Sequence, residues 1–279
     1  MSKAKSIFIS VWITLLSIGS IRALWQLTQV SVSIEWLLVL MSLLPSLLFF
    51  VWLFATPVAR TAKGFFLPLG IALLPIIGLF SAGVQDPEMW FWVLGVGGVG
   101  GVLYEAWYSR FGRRDVSQLK VGMALPALQF ERVDHSTLHT ATLQKPMLMI
   151  FFRGNWCPLC MAQVKEIASQ YRVLAEKGVE VMLISPQPHA NTEDLAQRFD
   201  VPMTFLTDRD GRMAEQLGIN AKNGTPAGLQ ALGYDSDTVM PTVLMTDAAG
   251  LIIYADLTEN YRIRPEPDEF LQVFAQAGI

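Results

Sequence analysis

The pattern of apolar and polar positions divides the chain into two parts. Residues 1–109 are almost entirely apolar, and they contain four long apolar segments, at residues 7–25, 34–55, 65–83 and 89–108. A helix rises about 1.5 Å per residue, so each segment is long enough to cross a hydrocarbon core of about 30 Å. Because the segments lack a charged face, we predict about four transmembrane helices rather than buried helices of a water-soluble domain.

From about residue 116 onward, polar residues are spread throughout, and short apolar blocks alternate with them. The apolar run at residues 147–152 predicts a strand that is buried on both faces. A segment with apolar residues three and four positions apart follows from residue 157 to about 178, which predicts an amphipathic helix. The next apolar run, at residues 179–184, completes a strand–helix–strand pattern. This pattern predicts a right-handed βαβ unit with parallel strands.

The remaining blocks predict a central sheet flanked by helices. We expect a short strand near residue 130 followed by a polar loop through His139, and an irregular excursion at residues 221–237. Further elements are predicted at residues 191–199 (helix), 203–206 (strand), 213–217 (helix), 242–246 and 251–255 (hairpin) and 267–277 (helix). The predicted domains are a transmembrane region at residues 1–109, a basic linker at 110–120 and an α/β domain at 121–279.

Charge predicts the orientation in the membrane. The chain has a net charge of −3, but residues 1–114 carry +4 and the remainder carries −7. Basic residues lie before the first apolar segment, between the second and third, and after the fourth: Lys3, Lys5, Arg60, Lys63, Arg110, Arg113 and Arg114. The other two connections carry Glu35, Asp86 and Glu88. The positive-inside rule then places both termini and the α/β domain in the cytoplasm, with Arg22 as the exception. An acidic domain without basic clusters argues against nucleic acid as a partner.

One glycine motif lies inside the fourth apolar segment. Gly95, Gly97, Gly98 and Gly100 have the spacing G-x-G-x-x-G, which in another context indicates a dinucleotide site. No strand precedes it and no βαβ unit surrounds it, so we reject that interpretation. Gly97 and Gly101 instead form a face of small residues that lets another helix approach closely. We interpret the helices as a membrane anchor.

The chain has two cysteines, Cys157 and Cys160, at the junction between the predicted strand 147–152 and the helix that follows. Unpaired backbone N–H groups at a helix N-terminus favour the thiolate, which is the nucleophilic form. The second sulfur is close enough to attack a mixed disulfide or sulfenic acid on the first. A structural zinc site would need more ligands nearby. The three histidines, His135, His139 and His189, show no ligand spacing and are predicted to be loop or solvent residues, so no metal or cofactor is expected.

The site motif reads Arg-Gly-Asn-Trp-Cys-Pro-Leu-Cys at residues 153–160, with Ile-Ser-Pro-Gln at 184–187 and further likeness at 256–262. These residues resemble thioredoxin-fold proteins of the alkyl hydroperoxide reductase and thiol-specific antioxidant family, and more narrowly its peroxiredoxin-like redoxins with R-G-x-W-C-P-x-C. The resemblance covers residues 121–279. It implies a thioredoxin-like α/β domain with a mixed sheet behind the all-α transmembrane region.

The resemblance also implies roles for individual residues. Cys157 would be the attacking cysteine and Cys160 the resolving one, with a redox disulfide between them. Pro241, followed by Thr242, matches the proline that is cis in thioredoxin folds. Arg153 would lower the thiolate pKa or hold a peroxide oxygen, unless it only closes the strand toward solvent. Trp156 would cover the dithiol or be part of the core.

The sequence departs from typical peroxiredoxins at two positions. Those proteins carry Pro and then Thr or Ser seven and three residues before the attacking cysteine, where the hydroxyl orients the peroxide. Here the two positions are Ile150 and Gly154. The donor that would position a peroxide is therefore missing.

The function predicted from the sequence is that of a multi-pass membrane-anchored thiol-disulfide oxidoreductase. It would reduce peroxides or protein disulfides with the dithiol, reside in a lipid bilayer and be reset by thioredoxin or another thiol reductant. The alternative is a non-catalytic copper-binding or redox-sensing module. Copper chaperones of this fold generally use C-x-x-x-C with a distant histidine, a different spacing from the one seen here.

Overall fold

The computed structural model describes residues 3–29, 33–61, 65–112 and 116–279. Lys63, Arg113 and Arg114, which contribute to the predicted orientation, lie outside these residues. The chain forms two compact units. A helical unit comprises Ala4–Thr56 and Ala62–Arg110, and an α/β unit comprises Met1–Lys3, Pro57–Thr61 and Phe111–Ile279.

The helical unit contains the four apolar helices expected from the sequence. They are α1 (Lys3–Gln29), α2 (Ile34–Ala55), α3 (Phe66–Ser81) and α4 (Pro87–Tyr108). Among the described residues, α1, α2 and α4 are long and apolar enough to span a membrane. The third predicted span, at residues 65–83, forms a shorter helix than expected, because α3 has 16 residues and a length of about 24 Å. Three candidate spans therefore precede the α/β unit.

Glycines in α4 allow neighbouring helices to approach it closely, as the sequence predicts. The indole Nε1 of Trp12 in α1 donates to the carbonyl of Val96 in α4 at 2.8 Å. A Cβ atom on Gly100 would overlap the Trp12 indole, and one on Gly97 would overlap the Ser42 hydroxyl of α2. The glycine-rich stretch is thus a helix-packing surface within this chain.

The α/β unit is built around a seven-stranded mixed sheet with strand order β2-β1-β5-β4-β3-β8-β9, and a separate ribbon pairs β6 with β7. The strands are β1 (Gln129–Arg132), β2 (Thr137–His139), β3 (Met147–Phe151), β4 (Glu180–Ser185), β5 (Thr204–Thr207), β6 (Asn220–Ala221), β7 (Thr238–Val239), β8 (Thr242–Thr246) and β9 (Ile252–Asp256). The helices are α5 (Pro158–Glu176), α6 (His189–Ala196), α7 (Arg212–Gln216) and α8 (Pro267–Gln276). Strands β3, β4 and β5 are parallel, and the outer strands are antiparallel.

The buried strands confirm the predicted fold class. All five residues of β3 are buried, and β3 pairs with β4 on one side and β8 on the other. The β3–α5–β4 unit, the β8–β9 hairpin and the closing helix α8 form where the sequence pattern predicts them. The carboxyl end of β3, where the dithiol follows, therefore lies in the middle of the sheet.

Two elements differ from the prediction. The polar segment through His139 contains strand β2, whose three residues bury only Leu138. A strand with a single buried residue is too short for the alternation of apolar and polar positions to be recognised in the sequence. The excursion at 221–237 is bounded by the ribbon β6–β7, in which Asn220 pairs with Val239.

We predict that Gly100→Ala destabilises the helical unit by about 1–3 kcal/mol, because the added methyl group overlaps the Trp12 indole. The measurement is the thermal unfolding midpoint of the full chain in detergent. Gly95→Ala is the matched control on the same helix, since its Cβ would have only one neighbour, at 3.8 Å. Equal midpoints for the two variants would contradict this packing argument.

Candidate dithiol site

The turn between β3 and α5 presents the two cysteines. Cys157 has extended backbone angles and is the N-cap of α5, and Pro158 occupies the first helical position. Proline is favoured there because its fixed φ suits the helix and it has no N–H to satisfy. The Cys157 N–H donates to the Gly154 carbonyl at 3.2 Å, and the Met161 N–H donates to the Cys157 carbonyl at 3.1 Å. These bonds hold both thiols at the N-terminal end of the helix.

The two thiols are free, buried and in contact. Cys157 is 3% exposed and Cys160 is fully buried. Their sulfur atoms are 2.7 Å apart, so the two thiols are in direct contact. This arrangement allows the sulfurs to exchange one proton and to form a disulfide with little movement of the helix.

Two buried arginines supply positive charge around the pair. The Nη2 atom of Arg264 lies 3.8 Å from the Cys160 sulfur, and Arg264 is 5% exposed. Arg153 is 3% exposed, and its guanidinium lies over the rings of Trp156 and Tyr261, 4.6 and 5.8 Å from their centroids. Arg153 is therefore not the solvent-facing residue that the simpler interpretation of the sequence describes.

The charges divide the acidity of the pair unevenly. Burial opposes ionisation of Cys160, but the hydrogen bond with Cys157 and the charges of Arg264 and Arg153 outweigh it and lower the pKa of Cys160 to about 6. Burial, together with the hydrogen bond and charge of Cys160, raises the pKa of Cys157. Because the groups interact strongly, they titrate as a unit that releases its first proton readily and keeps the second. The helix N-terminus was expected to favour the thiolate on Cys157, whereas in the structure the hydrogen bond between the thiols and the charge of Arg264 favour the thiolate on Cys160.

The segment that carries Arg264 is fixed by a connector from earlier in the chain. Arg60, in the part of the α/β unit formed by Pro57–Thr61, donates from Nε to the Arg264 carbonyl at 3.3 Å and from Nη1 to Glu166 at 3.2 Å. The Thr61 N–H donates to the Arg262 carbonyl at 3.0 Å. The connector therefore determines where the Arg264 backbone lies.

Gly154 has a conformation that excludes a hydroxyl side chain. Its φ is +148°, a value that L-residues rarely adopt. A Cβ atom there would lie 2.7 Å from the Trp156 Nε1 atom. Serine or threonine could occupy this position only if both the backbone and the indole moved. The missing peroxide-orienting hydroxyl is thus a consequence of how Trp156 packs.

A hydrogen-bond network joins the dithiol turn to two neighbouring loops. The Asn155 N–H donates to Gln187 Oε1 at 2.8 Å, and Gln187 Nε2 donates to the Thr192 hydroxyl at 3.2 Å. The Tyr234 hydroxyl donates to Asn155 Oδ1. In the sequence, Gln187 is recognisable only as part of the Ile-Ser-Pro-Gln motif. Tyr234 and Arg264 were not predicted to belong to the site. Neither has a periodic or spacing signal, because both lie in polar coil segments.

Pro241 and Thr242 lie beside the end of β3. Thr242 is opposite Phe151 in the β3–β8 register, and both Pro241 and Thr242 are buried. The Met240–Pro241 bond is trans, so the cis geometry implied by the resemblance is wrong for this structure. A trans X–Pro bond is favoured by about 0.5–1 kcal/mol unless the surroundings select cis. Here the Thr242 hydroxyl donates to the Met240 carbonyl at 2.9 Å and supports the trans turn.

Known proteins are similar to part of this chain. Peroxiredoxin Q, chloroplastic, from Populus jackii is 24% identical over 129 residues, covering 46% of this chain and 61% of that protein. The thiol-disulfide oxidoreductase ResA from Oceanobacillus iheyensis is 27% identical over 122 residues, covering 34% of this chain and 64% of that protein. The chain therefore spans less than two thirds of the length of either relative.

Similar solved structures include the peroxidoxin BcpB from Mycobacterium tuberculosis, with 18% identity and a TM-score of 0.47 over 57% of this chain and 97% of that chain. Another is a peroxiredoxin-like protein from Aquifex aeolicus, with 20% identity and a TM-score of 0.46 over 57% of this chain and 88% of that chain. The AhpC/TSA family model matches residues 121–255, which include β1 to β8 and the dithiol. The chain therefore carries a redoxin domain of the AhpC/TSA family, preceded by apolar helices with three candidate membrane spans.

Proposed function

We propose that this protein is a membrane-anchored thiol-disulfide oxidoreductase that uses Cys157 and Cys160 to reduce disulfides. The observation that carries the proposal is the contact of two buried free thiols beside the Arg264 guanidinium. A thiolate stabilised in this way is a nucleophile near neutral pH. The two relatives are named as a thiol-disulfide oxidoreductase and a peroxiredoxin, and both activities depend on such a thiolate.

The proposed reaction has two exchange steps. Cys157, the more exposed thiol, passes its proton to the Cys160 thiolate and attacks one sulfur of the substrate disulfide. The disulfide bond of the substrate breaks, and the first substrate thiolate leaves and takes up the proton from Cys160. Cys160 then attacks the Cys157 sulfur of the mixed disulfide and releases the second thiolate. The substrate gains two electrons, and the protein becomes the Cys157–Cys160 disulfide. Thioredoxin or another dithiol reductant would return the pair to the reduced form by the same exchange.

In this scheme the positive charges act on both steps. Arg264 lies beside the resolving sulfur and keeps it ionised when Cys157 is in the mixed disulfide. The Arg153 guanidinium lies over the Trp156 ring and adds a second positive charge that favours the thiolate of the cysteine pair. Trp156 shields the dithiol turn from water. Pro241 and Thr242 lie at the start of β8, beside the end of β3. We assign these five residues supporting roles.

We favour disulfide reduction over peroxide reduction because of Gly154. A peroxide requires a donor that orients it and stabilises the oxygen that leaves. The backbone and Trp156 close that position to a hydroxyl side chain. In the alternative, Cys157 attacks a peroxide oxygen to give a sulfenic acid and an alcohol or water, and Cys160 displaces water to close the disulfide.

We propose further that the domain lies on the cytoplasmic face. The positive-inside rule, applied to Arg60 and Lys63 between the second and third apolar segments, supports a cytoplasmic position for this connection. Arg60 of that connector contacts Glu166 within the α/β unit, which supports a common side for both. Modification of Cys157 in intact cells by a thiol reagent that cannot cross the membrane would invert this assignment.

The proposed roles of the cysteines predict different defects. Cys157→Ser should abolish disulfide reduction, because the attacking sulfur is lost. Cys160→Ser should trap a mixed disulfide with the substrate, because nothing displaces it. Non-reducing electrophoresis and mass spectrometry of the full chain in detergent detect the trapped species. The double serine variant is the control, and turnover by Cys157→Ser at the wild-type rate would refute the mechanism.

Rapid mixing of the reduced full chain with hydrogen peroxide or with an oxidised peptide separates the two reactions. Tryptophan fluorescence can follow them, since Trp156 is next to the dithiol. We expect the disulfide reaction to be faster by at least about tenfold. A faster reaction with peroxide would show that this protein is a peroxidase and does not need a hydroxyl at residue 154.

The acidity of the pair predicts a pH dependence. Alkylation of the reduced protein by iodoacetamide should rise through about pH 6, because the pKa of Cys160 is lowered to about 6 and the thiolate exists above it. Arg264→Gln should move this inflection to higher pH and slow alkylation at pH 6.5 by about threefold for a shift of one unit, because the thiolate fraction at that pH falls by this factor. The control is Arg212→Gln, because Arg212 is exposed and pairs with Asp210. An unchanged profile in Arg264→Gln would contradict the role of this charge.

A further inference from the structure

We propose that Glu131, His135 and His189 form a binding site for a divalent transition-metal ion of the zinc type, separate from the dithiol. Glu131 lies on β1, His135 lies in the turn between β1 and β2, and His189 is the first residue of α6. The sheet order brings these positions together although 54 residues separate the two histidines. Among the described residues, their ligating atoms all lie within 4.8 Å of one another.

The distances suit one shared ion. Glu131 Oε1 lies 2.8 Å from His135 Nδ1 and 3.6 Å from His189 Nδ1. Zinc binds imidazole nitrogen and carboxylate oxygen at about 2.0–2.2 Å, which separates neighbouring tetrahedral ligands by about 3.3 Å. The two distances from Glu131 Oε1 differ from this spacing by about 0.5 and 0.3 Å, so Glu131 is placed to share an ion with either histidine.

The surroundings of His189 match those of a metal-binding histidine. Its Nε2 atom lies 3.2 Å from the Val133 carbonyl and can only donate to it. This bond fixes the tautomer with the lone pair on Nδ1. The Nδ1 atom is buried, and it has no hydrogen-bond partner among the described residues. Metal ligation would satisfy this atom, whereas a plain loop histidine would turn it toward water.

The carboxylate is also held in place. Arg209 donates from Nε and Nη2 to Glu131 Oε2, at 2.9 and 2.6 Å, and so leaves Oε1 directed at the histidines. The charge of Arg209 opposes cation binding. The site therefore favours ions that gain strongly from imidazole nitrogen, such as Zn²⁺, Ni²⁺ or Cu²⁺, over Mg²⁺ or Ca²⁺.

His135 can complete the site by turning its ring. Its side chain is 70% exposed, and its backbone has φ +64°. Its ring stacks on that of His189 with the centroids 4.1 Å apart, and its Nδ1 atom lies at hydrogen-bond distance from Glu131 Oε1, a bond that metal ligation would replace. A rotation of the exposed ring directs its nitrogen at the ion. A cavity of about 280 Å³ lined by Glu131 and His135 leaves room for a water as the fourth ligand.

The test measures Zn²⁺ binding to the full chain, produced without a polyhistidine tag, by titration calorimetry in detergent. The background carries Cys157→Ser and Cys160→Ser, because thiolates would bind zinc themselves. We expect one ion per chain. His189→Gln and His135→Gln should each weaken binding by at least about tenfold. His139→Gln, which changes the third histidine of the chain outside the cluster, is the matched control and should bind as the parent does.

Two results would overturn the proposal. One is absence of Zn²⁺ binding in the cysteine-free parent, in which case the cluster is only a hydrogen-bonded Glu–His pair. The other is equal affinity of parent, His135→Gln and His189→Gln, which would mean that the ion binds elsewhere. His135 is exposed, so its substitution should leave the thermal midpoint nearly unchanged and make loss of folding a poor explanation for lost binding.

Discussion

The stabilisation of a buried negative charge by buried guanidinium groups is the interaction on which this structure depends. Cys157 and Cys160 are almost inaccessible to water, which by itself raises the pKa of a thiol. At Cys160 the hydrogen bond with Cys157 and the charges of Arg264 and Arg153 together outweigh this effect. The helix N-terminus contributes partial charge as well, but it acts on both sulfurs. The hydrogen bond between the thiols lowers the pKa of Cys160 and raises that of Cys157, and the arginines favour the negative charge that the pair then carries.

The sequence predicts much of the fold because the signals that determine it are local and repeated. The buried strand β3, the amphipathic helix α5 and the β8–β9 hairpin each depend on apolar periodicity within about ten residues. The motif around Cys157 and Cys160 also identifies the family, and the turn forms where it predicts. In α4, Gly100 marks a close helix contact because only a residue without Cβ fits beside Trp12. The length of α3 was not predictable, since hydropathy shows where a segment is apolar and not where its hydrogen bonds end.

The parts of the site that the sequence did not reveal depend on contacts between distant segments. Arg264 lies in a polar coil, where arginine is normally exposed, and only the fold places it 3.8 Å from Cys160. His135 and His189 have no ligand spacing along the chain, but β1 and the start of α6 bring them into ring contact. Pro241 shows a different limit. The resemblance implies a cis peptide bond before this residue, whereas the bond is trans in the structure. Motifs thus located the residues better than they described their conformations.

The small ribbon β6–β7 is best understood as a support for Arg153. A buried guanidinium is costly unless its donors are bonded. Arg153 donates to the Gly224 carbonyl, and the Thr238 hydroxyl donates to the Arg153 carbonyl at 2.7 Å. Both partners belong to the excursion that begins at β6 and ends at β7, which composition alone marks only as irregular. The pairing of β6 with β7 closes this excursion and so helps to hold both partners of Arg153 in place, which keeps a positive charge beside the thiols.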